Sequence, residues 1–169
     1  MTATTATPLI DRLRKQIDLQ QGEKLYAVID AARDIKLLIE ARTRFGEAVK
    51  SLFQGEAAAS MADFAPYLVR FGPADEFLDV WAEHWGNSAG ILLISQADPT
   101  AILKHLRSIF IVQDEQGQEY FFRFYDPRVL RTFLLTCAPG ERAEFFGPLR
   151  VALYEAEEPA NILKSLKAE

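Results

Sequence analysis

The chain has 169 residues, of which 49% are hydrophobic and 25% are charged, a composition typical of one globular domain with a sizeable core. The formal net charge of -5 argues against nucleic acid or an anionic membrane as the main partner. Cys137 is the one cysteine, so an intrachain disulfide is excluded. The start of the chain lacks the basic and apolar regions of a signal peptide, and no apolar run approaches the roughly 20 residues of a membrane span. These features predict a cytoplasmic protein.

The first half of the chain alternates between helical and strand-like segments. Amphipathic patterns with cap residues predict the helices, and short apolar runs bounded by glycine or proline predict the strands. A frayed tail is expected at residues 1–8. The predicted elements then follow in order: a helix over Pro8 to Gln21, a strand over Leu25 to Asp30, a helix from Asp34 to Leu52, a loop over Gly55 to Ser60, a strand over Ala65 to Phe71, and a helix over Asp75 to Trp85.

The second half continues this alternation and adds a hairpin. Asp98-Pro99 and Asp126-Pro127 each combine a favourable N-cap with a proline at the first helical position. The predicted elements are a strand over Gly90 to Ser95, a helix from Asp98 to Ile109, a hairpin of Phe110 to Gln113 with Glu119 to Tyr125, a helix from Asp126 to Thr136, a strand over Arg150 to Tyr154, and a helix over Pro159 to Lys167.

The segment from Tyr120 to Leu130 is the most informative part of the sequence. Aromatic residues occupy both faces of its predicted strand, and Arg123 lies among them. This pattern predicts a central strand covered on both sides. A guanidinium in such surroundings needs a partner, and Asp30 or Asp126 is the expected one.

Together these elements predict one domain of the α/β (α+β) class. Its mixed sheet is expected to contain about five to six strands flanked by helices. The predicted divisions are an N-terminal tail and short helix at 1–22, the main domain at 23–156, and a short C-terminal helix at 157–169.

No motif in the chain predicts a cofactor, a metal ion or a covalent nucleophile. The glycines form no phosphate-binding loop, and no nucleophile elbow occurs. His84 and His105 each lack a second histidine or cysteine at helical spacing, so we interpret them as surface or boundary residues. Cys137 ends an apolar helix, where a buried and inert thiol is expected.

Three aspartates leave one enzymatic interpretation open. Asp30, Asp98 and Asp126 each follow a predicted strand, and carboxylates at strand ends often form active sites in α/β folds. The alternative is that Asp98 and Asp126 cap helices while Asp30 pairs with a basic group. We favour capping over catalysis.

Bulky apolar residues exceed what a small sheet easily buries, so some of them could line a groove for a partner protein. The alternative is that they fill the core. The candidates are Trp81, Trp85, Phe145, Phe146, Ile162, Leu163 and Leu166.

The order of several motifs resembles a bacterial family first defined as a domain of unknown function and understood as type VI secretion adaptor chaperones of the Tap/TEC type. The resemblance covers Leu25 to Tyr154. It is carried by Leu-Tyr-Ala-Val-Ile-Asp, Ser-Leu-Phe-Gln-Gly, Ala-Pro-Tyr-Leu-Val, Gly-Ile-Leu-Leu-Ile-Ser, Leu-Lys-His-Leu-Arg, Phe-Arg-Phe-Tyr-Asp-Pro-Arg-Val-Leu and Phe-Phe-Gly-Pro-Leu.

This resemblance implies a cytoplasmic protein without enzymatic activity that holds a secreted effector and helps to load it onto the VgrG spike. Arg123, Tyr125 and Arg128 are the motif residues expected to touch a partner. A structural role is expected for the other matching positions, which are Tyr26, Asp30, Ala65, Pro66, Tyr67, Leu68, Asp126 and Pro127. Relatives have an extra helical region after the last strand. We therefore expect this chain either to need a second subunit to bind effector and spike together, or to bind only one of them.

Two rival functions stay open at this point. One is a small hydrolase or transferase built on Asp30, Asp98 and Asp126, whose carboxylates would converge in a deep pocket. The other is an immunity-type protein that neutralises a toxin by binding it.

Overall fold

The computed structural model describes residues 7–158 and 160–168. It is a single α+β domain built on a six-stranded sheet, with a separate two-stranded sheet beside it. The expected fold class is therefore confirmed. The predicted tail at residues 1–8 falls mostly on residues outside the described range.

The large sheet has the strand order β2-β3-β1-β4-β7-β8, and β5 pairs with β6 in the small sheet. Every pairing between described strands is antiparallel, whereas a mixed sheet was expected. The strands are β1 (Lys24–Asp30), β2 (Lys50–Ser51), β3 (Pro66–Phe71), β4 (Gly90–Ser95), β5 (Ile111–Gln113), β6 (Glu119–Phe121), β7 (Leu149–Glu155) and β8 (Ile162–Leu166).

Helices cover the sheet and connect its strands. They are α1 (Leu9–Gln16), α2 (Ile35–Phe45), α3 (Gly55–Ser60), α4 (Phe77–Glu83), α5 (Pro99–Phe110), α6 (Pro127–Thr136) and α7 (Pro139–Phe146). Among the described residues, no helix has the length and apolar character needed to cross a membrane.

The core lies on both faces of β1 and β4. Successive side chains of a strand point to opposite faces, and every residue from Leu25 to Asp30 and from Gly90 to Ser95 is buried. Both strands must therefore be covered on both sides. Their continuous apolar sequences, interrupted by few polar residues, are what such a position requires.

Aspartate side chains begin three of the helices. Asp34, Asp98 and Asp126 accept hydrogen bonds from the backbone N–H groups of Leu37, Ala101 and Arg128. These bonds satisfy donors that the first helical turn leaves without a partner. The predicted N-caps at Asp98 and Asp126 are confirmed.

The aromatic segment is not the central strand that its sequence predicted. Its strand ends at Phe121, pairs with β5 alone, and is exposed along its three residues. The residues from Phe122 onward leave the strand and lead into α6. The hairpin itself is confirmed, with Gly117 at φ +80° in its turn.

Four other predictions are wrong in detail. The predicted helix from Asp34 to Leu52 ends at Phe45, and β2 occupies part of its range. The strand β8 lies where a C-terminal helix was predicted, because Ile162 to Leu166 pairs with the open edge of β7. The predicted loop over Gly55 to Ser60 is α3. The first helix ends at Gln16, well before the predicted stop at Gly22. Pro159, where the C-terminal helix was expected to begin, lies outside the described residues.

Candidate functional site

Buried carboxylates gather at one end of the large sheet. Asp30 ends β1 and Glu155 ends β7, while Gly90 at the start of β4 lies opposite Ile29. The loop before α6 brings Asp126 to the same end, close enough for its charge to act on both other carboxylates. Asp30 is 0% exposed, Asp126 2% and Glu155 5%, so each charge depends on protein partners.

Arg123 is the partner of Asp30. Its Nη2 donates to Asp30 Oδ2 across 2.8 Å, and the backbone N–H of Ala32 donates to Oδ1 across 3.1 Å. Burial raises the pKa of Asp30, and the Arg123 guanidinium offsets this effect only in part. The expectation that Arg123 pairs with Asp30 or Asp126 is confirmed, with Asp30 as the partner.

Tyr125 packs under the same arginine. The Arg123 guanidinium carbon lies 5.9 Å from the centre of the Tyr125 ring, and the tyrosine is 3% exposed. Burial and the nearby Asp30 charge raise the pKa of Tyr125 to about 12. Tyr125 is therefore a neutral support for Arg123 and is not available as a surface contact.

Asp126 is held by its own helix. Arg128 Nε and Nη2 donate to the two Asp126 oxygens across 3.0 and 2.7 Å, while the Arg128 backbone N–H makes the cap bond. Burial acts to raise the pKa of Asp126, but the donors from Arg128 outweigh it and the net shift is downward. The carboxylate is therefore ionised, and both of its oxygens are hydrogen-bonded to Arg128 at the start of α6.

Glu155 closes the loop that precedes β4. Its two carboxylate oxygens accept hydrogen bonds from the backbone N–H groups of Gly86 and Ser88, at 2.8 and 3.1 Å. Ser88 has φ +55°, a left-handed conformation that a non-glycine residue adopts rarely. Burial raises the pKa of Glu155. The sequence did not predict this contact, because its donors are backbone N–H groups, which almost every residue carries.

A second contact across the chain joins α2 to the end of α4. His84 Nδ1 and Asn87 Nδ2 lie 2.6 and 3.0 Å from Asp34 Oδ2. These bonds lower the pKa of Asp34 against the opposing effect of its burial. His84 is half-buried, as is His105, whose Nε2 donates to the Phe145 carbonyl oxygen. Both histidines are boundary residues, as predicted.

The three aspartates of the enzymatic interpretation do not converge. Asp98 follows the carboxyl end of β4, and Asp30 ends β1, which is antiparallel to β4. The two residues therefore lie at opposite ends of the sheet. Among the described residues, no three metal-binding side chains are grouped where they could hold an ion.

The structure separates the predicted partner-binding residues into two groups. Trp81, Tyr125, Phe145 and Phe146 are core residues, each at most 3% exposed. The expectation of a surface role is wrong for Trp81, Tyr125 and Phe146, whereas Phe145 lines the floor of an apolar groove. Arg123 and Arg128 are exposed and line an open depression with Asp126. Trp85 is half-buried, and its buried indole nitrogen has no hydrogen-bond partner among the described residues.

The other predicted positions have structural surroundings. Tyr26, Pro66, Tyr67 and Pro127 are buried, and the Tyr26 hydroxyl donates to the Ala97 carbonyl oxygen across 2.6 Å. Ile162, Leu163 and Leu166 are half-buried in β8. Cys137 is half-buried at the end of α6, so the prediction of a buried thiol is wrong in degree.

An exposed apolar surface occurs where the sequence predicted a covered strand. The β5–β6 hairpin exposes Ile111, Val112, Tyr120 and Phe121 by 44 to 57%. Phe121 also stacks on Phe53 and Phe110, with ring centres 5.8 and 5.0 Å apart, and so attaches the hairpin to the domain. A fixed, exposed apolar surface of this kind is typical of a protein-binding site.

Comparison with known proteins identifies a family. No curated protein and no solved structure matches the chain. The model of the family described as "Domain of unknown function (DUF4123)" matches residues 25–144, which is more than half of the chain. The matched range includes β1 from Leu25 onward, the hairpin and the Arg123–Asp126 segment. The chain belongs to the DUF4123 family.

Proposed function

We propose that this protein is a non-enzymatic adaptor chaperone of the cytoplasm, which binds a type VI secretion effector and assists its loading onto the VgrG spike. The observation that carries the proposal is the family match over residues 25–144. The same stretch contains most of the motifs that resemble the type VI secretion adaptors.

The buried carboxylates support a binding role over a catalytic one. Asp30, Asp126 and Glu155 each accept hydrogen bonds from protein donors on both oxygens. A general acid or base must reach the proton that is transferred from the substrate, and each of these carboxylates is at most 5% exposed. Their effect is to fix the loops at one end of the sheet.

Exposed apolar residues give the proposal a physical basis. An effector chaperone needs a surface that remains available to a partner while its own domain is folded. The hairpin offers such a surface, because Phe121 stacks on the core aromatics while Ile111 and Val112 stay about half exposed.

The test is a gene deletion in the native cell, scored by both effector activity and effector export. We expect deletion to leave the effector active inside the cell and to remove it from the secreted fraction. Restoring the gene should restore export. An immunity-type protein would give the opposite pattern, since its loss would leave the toxin uninhibited while export continued. Unchanged export after deletion would contradict the adaptor function.

A further inference from the structure

An apolar groove lies beside the β5–β6 hairpin. It has a volume of about 290 Å³ and is formed where α5, β5, α6 and α7 meet. Its apolar lining consists of Ile109, Ile111, Val112, Phe122, Phe133 and Phe145.

The walls of the groove are held in place by aromatic contacts. Phe122 and Phe133 are half-buried, with ring centres 4.8 Å apart, and Phe133 lies 5.7 Å from Phe145. Phe145 is 2% exposed and forms the floor. The groove is therefore preformed, and a ligand side chain could enter without prior rearrangement of the core.

The surroundings of the groove are acidic. Among the described residues that line it, the ionisable ones are Glu141 and Glu144, both exposed on α7. The hairpin over residues 111–121 adds Asp114, Glu115 and Glu119, and its sequence contains no lysine, arginine or histidine. An apolar groove with acidic edges attracts a segment that is apolar on one side and basic on the other.

We propose that this groove binds an amphipathic, positively charged segment of the partner protein. Apolar side chains of the segment would enter the groove between Phe122, Phe133 and Val112, and its lysine or arginine side chains would meet Glu144 and the hairpin carboxylates. The inference rests on the proposed function, because it names the chemistry of the segment by which the effector is held.

A synthetic peptide pair tests the required chemistry. One fluorescent peptide of about 18 residues carries leucine on one helical face and lysine on the other, and its counterpart carries glutamate in place of lysine. Fluorescence anisotropy titrations with the full chain should give an affinity at least about tenfold higher for the lysine peptide, and added salt should weaken its binding. Equal binding of both peptides would overturn the proposal.

Matched variants locate the binding surface. Ile111→Ser removes apolar area from the groove, and Ile39→Ser removes it from α2, where Ile39 is 55% exposed and Ile111 is 47% exposed. Glu144→Lys and Glu40→Lys change the net charge equally, the first at the groove and the second on α2. Each groove variant should lower the affinity for the lysine peptide by about fivefold or more, and each control variant should lower it by less than about twofold. Groove variants that bind as tightly as their controls would overturn the proposal.

Two further measurements separate the remaining possibilities. Sedimentation that shows a dimer dissociated by Ile111→Ser would mean that a second copy covers the groove, which contradicts a partner segment. In affinity purifications from the native cell, tagged Ile111→Ser and Glu144→Lys should carry less bound effector than tagged Ile39→Ser and Glu40→Lys. If all four recover the same effector equally, the groove proposal fails and the adaptor function stands. If the unaltered protein recovers neither effector nor spike, the adaptor function itself fails.

Discussion

The Arg123 guanidinium donates a hydrogen bond to the Asp30 carboxylate across 2.8 Å and joins the loop before α6 to the end of β1. The Asp30 side chain is completely buried, whereas the Arg123 side chain is 43% exposed. The arginine thus stabilises a buried charge from a partly exposed position. Because 93 residues separate the two, the bond also fixes the hairpin segment to the central strand.

Replacing Arg123 by methionine should destabilise the fold. The substitution leaves the buried Asp30 carboxylate with one backbone donor in place of an ion pair, and we expect the free energy of unfolding to fall by about 2 kcal/mol. Urea titrations of the unaltered protein and Arg123→Met measure this loss.

Arg14→Met is the matched control for that substitution. Arg14 pairs with Asp79 across 3.1 Å, and both side chains are exposed, by 42% and 48%, so its loss leaves no buried charge. We expect a loss below about 1 kcal/mol. An unchanged stability in Arg123→Met, or a larger loss in Arg14→Met, would contradict the stabilising role of Arg123.

The stability contributed by Asp126 should depend on acid pH. Its pKa is lowered from the ordinary value of 3.8, so its contribution is complete above that pH and is lost as the pH falls through the lowered pKa. Asp126→Asn keeps a good N-cap but has no charge to lose. The stability difference between the two proteins should therefore shrink below pH 3.8, as measured by denaturant titrations across the acid range.

The stability contributed by Asp30 should depend on pH in the opposite direction. Its pKa is raised, so the folded state holds the proton more tightly than the unfolded state does. Stability should fall as the pH rises from 3.8 through the raised pKa, relative to Asp30→Asn. Parallel pH profiles for the two carboxylates would show that their surroundings do not differ in the way described.

Gly90 cannot accept a side chain. An added Cβ would lie 2.0 Å from the Val28 carbonyl oxygen and 2.9 Å from the Trp81 ring, and the backbone has φ +155°. We expect Gly90→Ala to cost about 3 kcal/mol or more, or to prevent folding. Gly140→Ala is the control, because a Cβ at this position in α7 meets no atom within 4 Å. It should leave the thermal midpoint unchanged or raise it.

Phe145 should behave as a core residue. It is 2% exposed and packs against Phe124, Phe133 and Phe146. Truncation to alanine should lower the free energy of unfolding by about 3 kcal/mol. Leu135→Ala should have almost no effect, because Leu135 on α6 is 84% exposed. Similar thermal melts for the two variants would contradict the assignment of Phe145 to the core.

Local patterns predicted much of this fold. The Asp-Pro pairs at Asp98 and Asp126 identify helix starts because the cap and the proline act within a few residues of each other. β1 and β4 are evident from apolar runs bounded by glycine or a carboxylate. Such signals are contained in the segment itself and need no knowledge of its neighbours.

The errors occur where neighbours decide the outcome. Ile162 to Leu166 has too few residues to distinguish a helical from a strand period, and the open edge of β7 makes it a strand. The aromatic residues from Tyr120 to Tyr125 suggest burial, but their sequence does not say that β6 would lack a place in the large sheet.

Part of the site could also be predicted from the sequence. An arginine among aromatic residues requires a carboxylate, and Asp30 was one of two candidates for it. The bonds from Glu155 to the Gly86 and Ser88 backbone could not be predicted, because they join segments 69 and 67 residues apart through main-chain donors. The hairpin was predicted but its exposure was not, because exposure depends on which strands the β5–β6 pair can join.

The most direct test of the adaptor function is affinity purification of the tagged full chain from the cells that encode it, under conditions of active secretion, followed by mass spectrometry. We predict recovery of a secreted effector together with the VgrG spike protein, and reduced recovery of the effector by Ile111→Ser. Recovery of neither an effector nor a spike protein would contradict the proposed function.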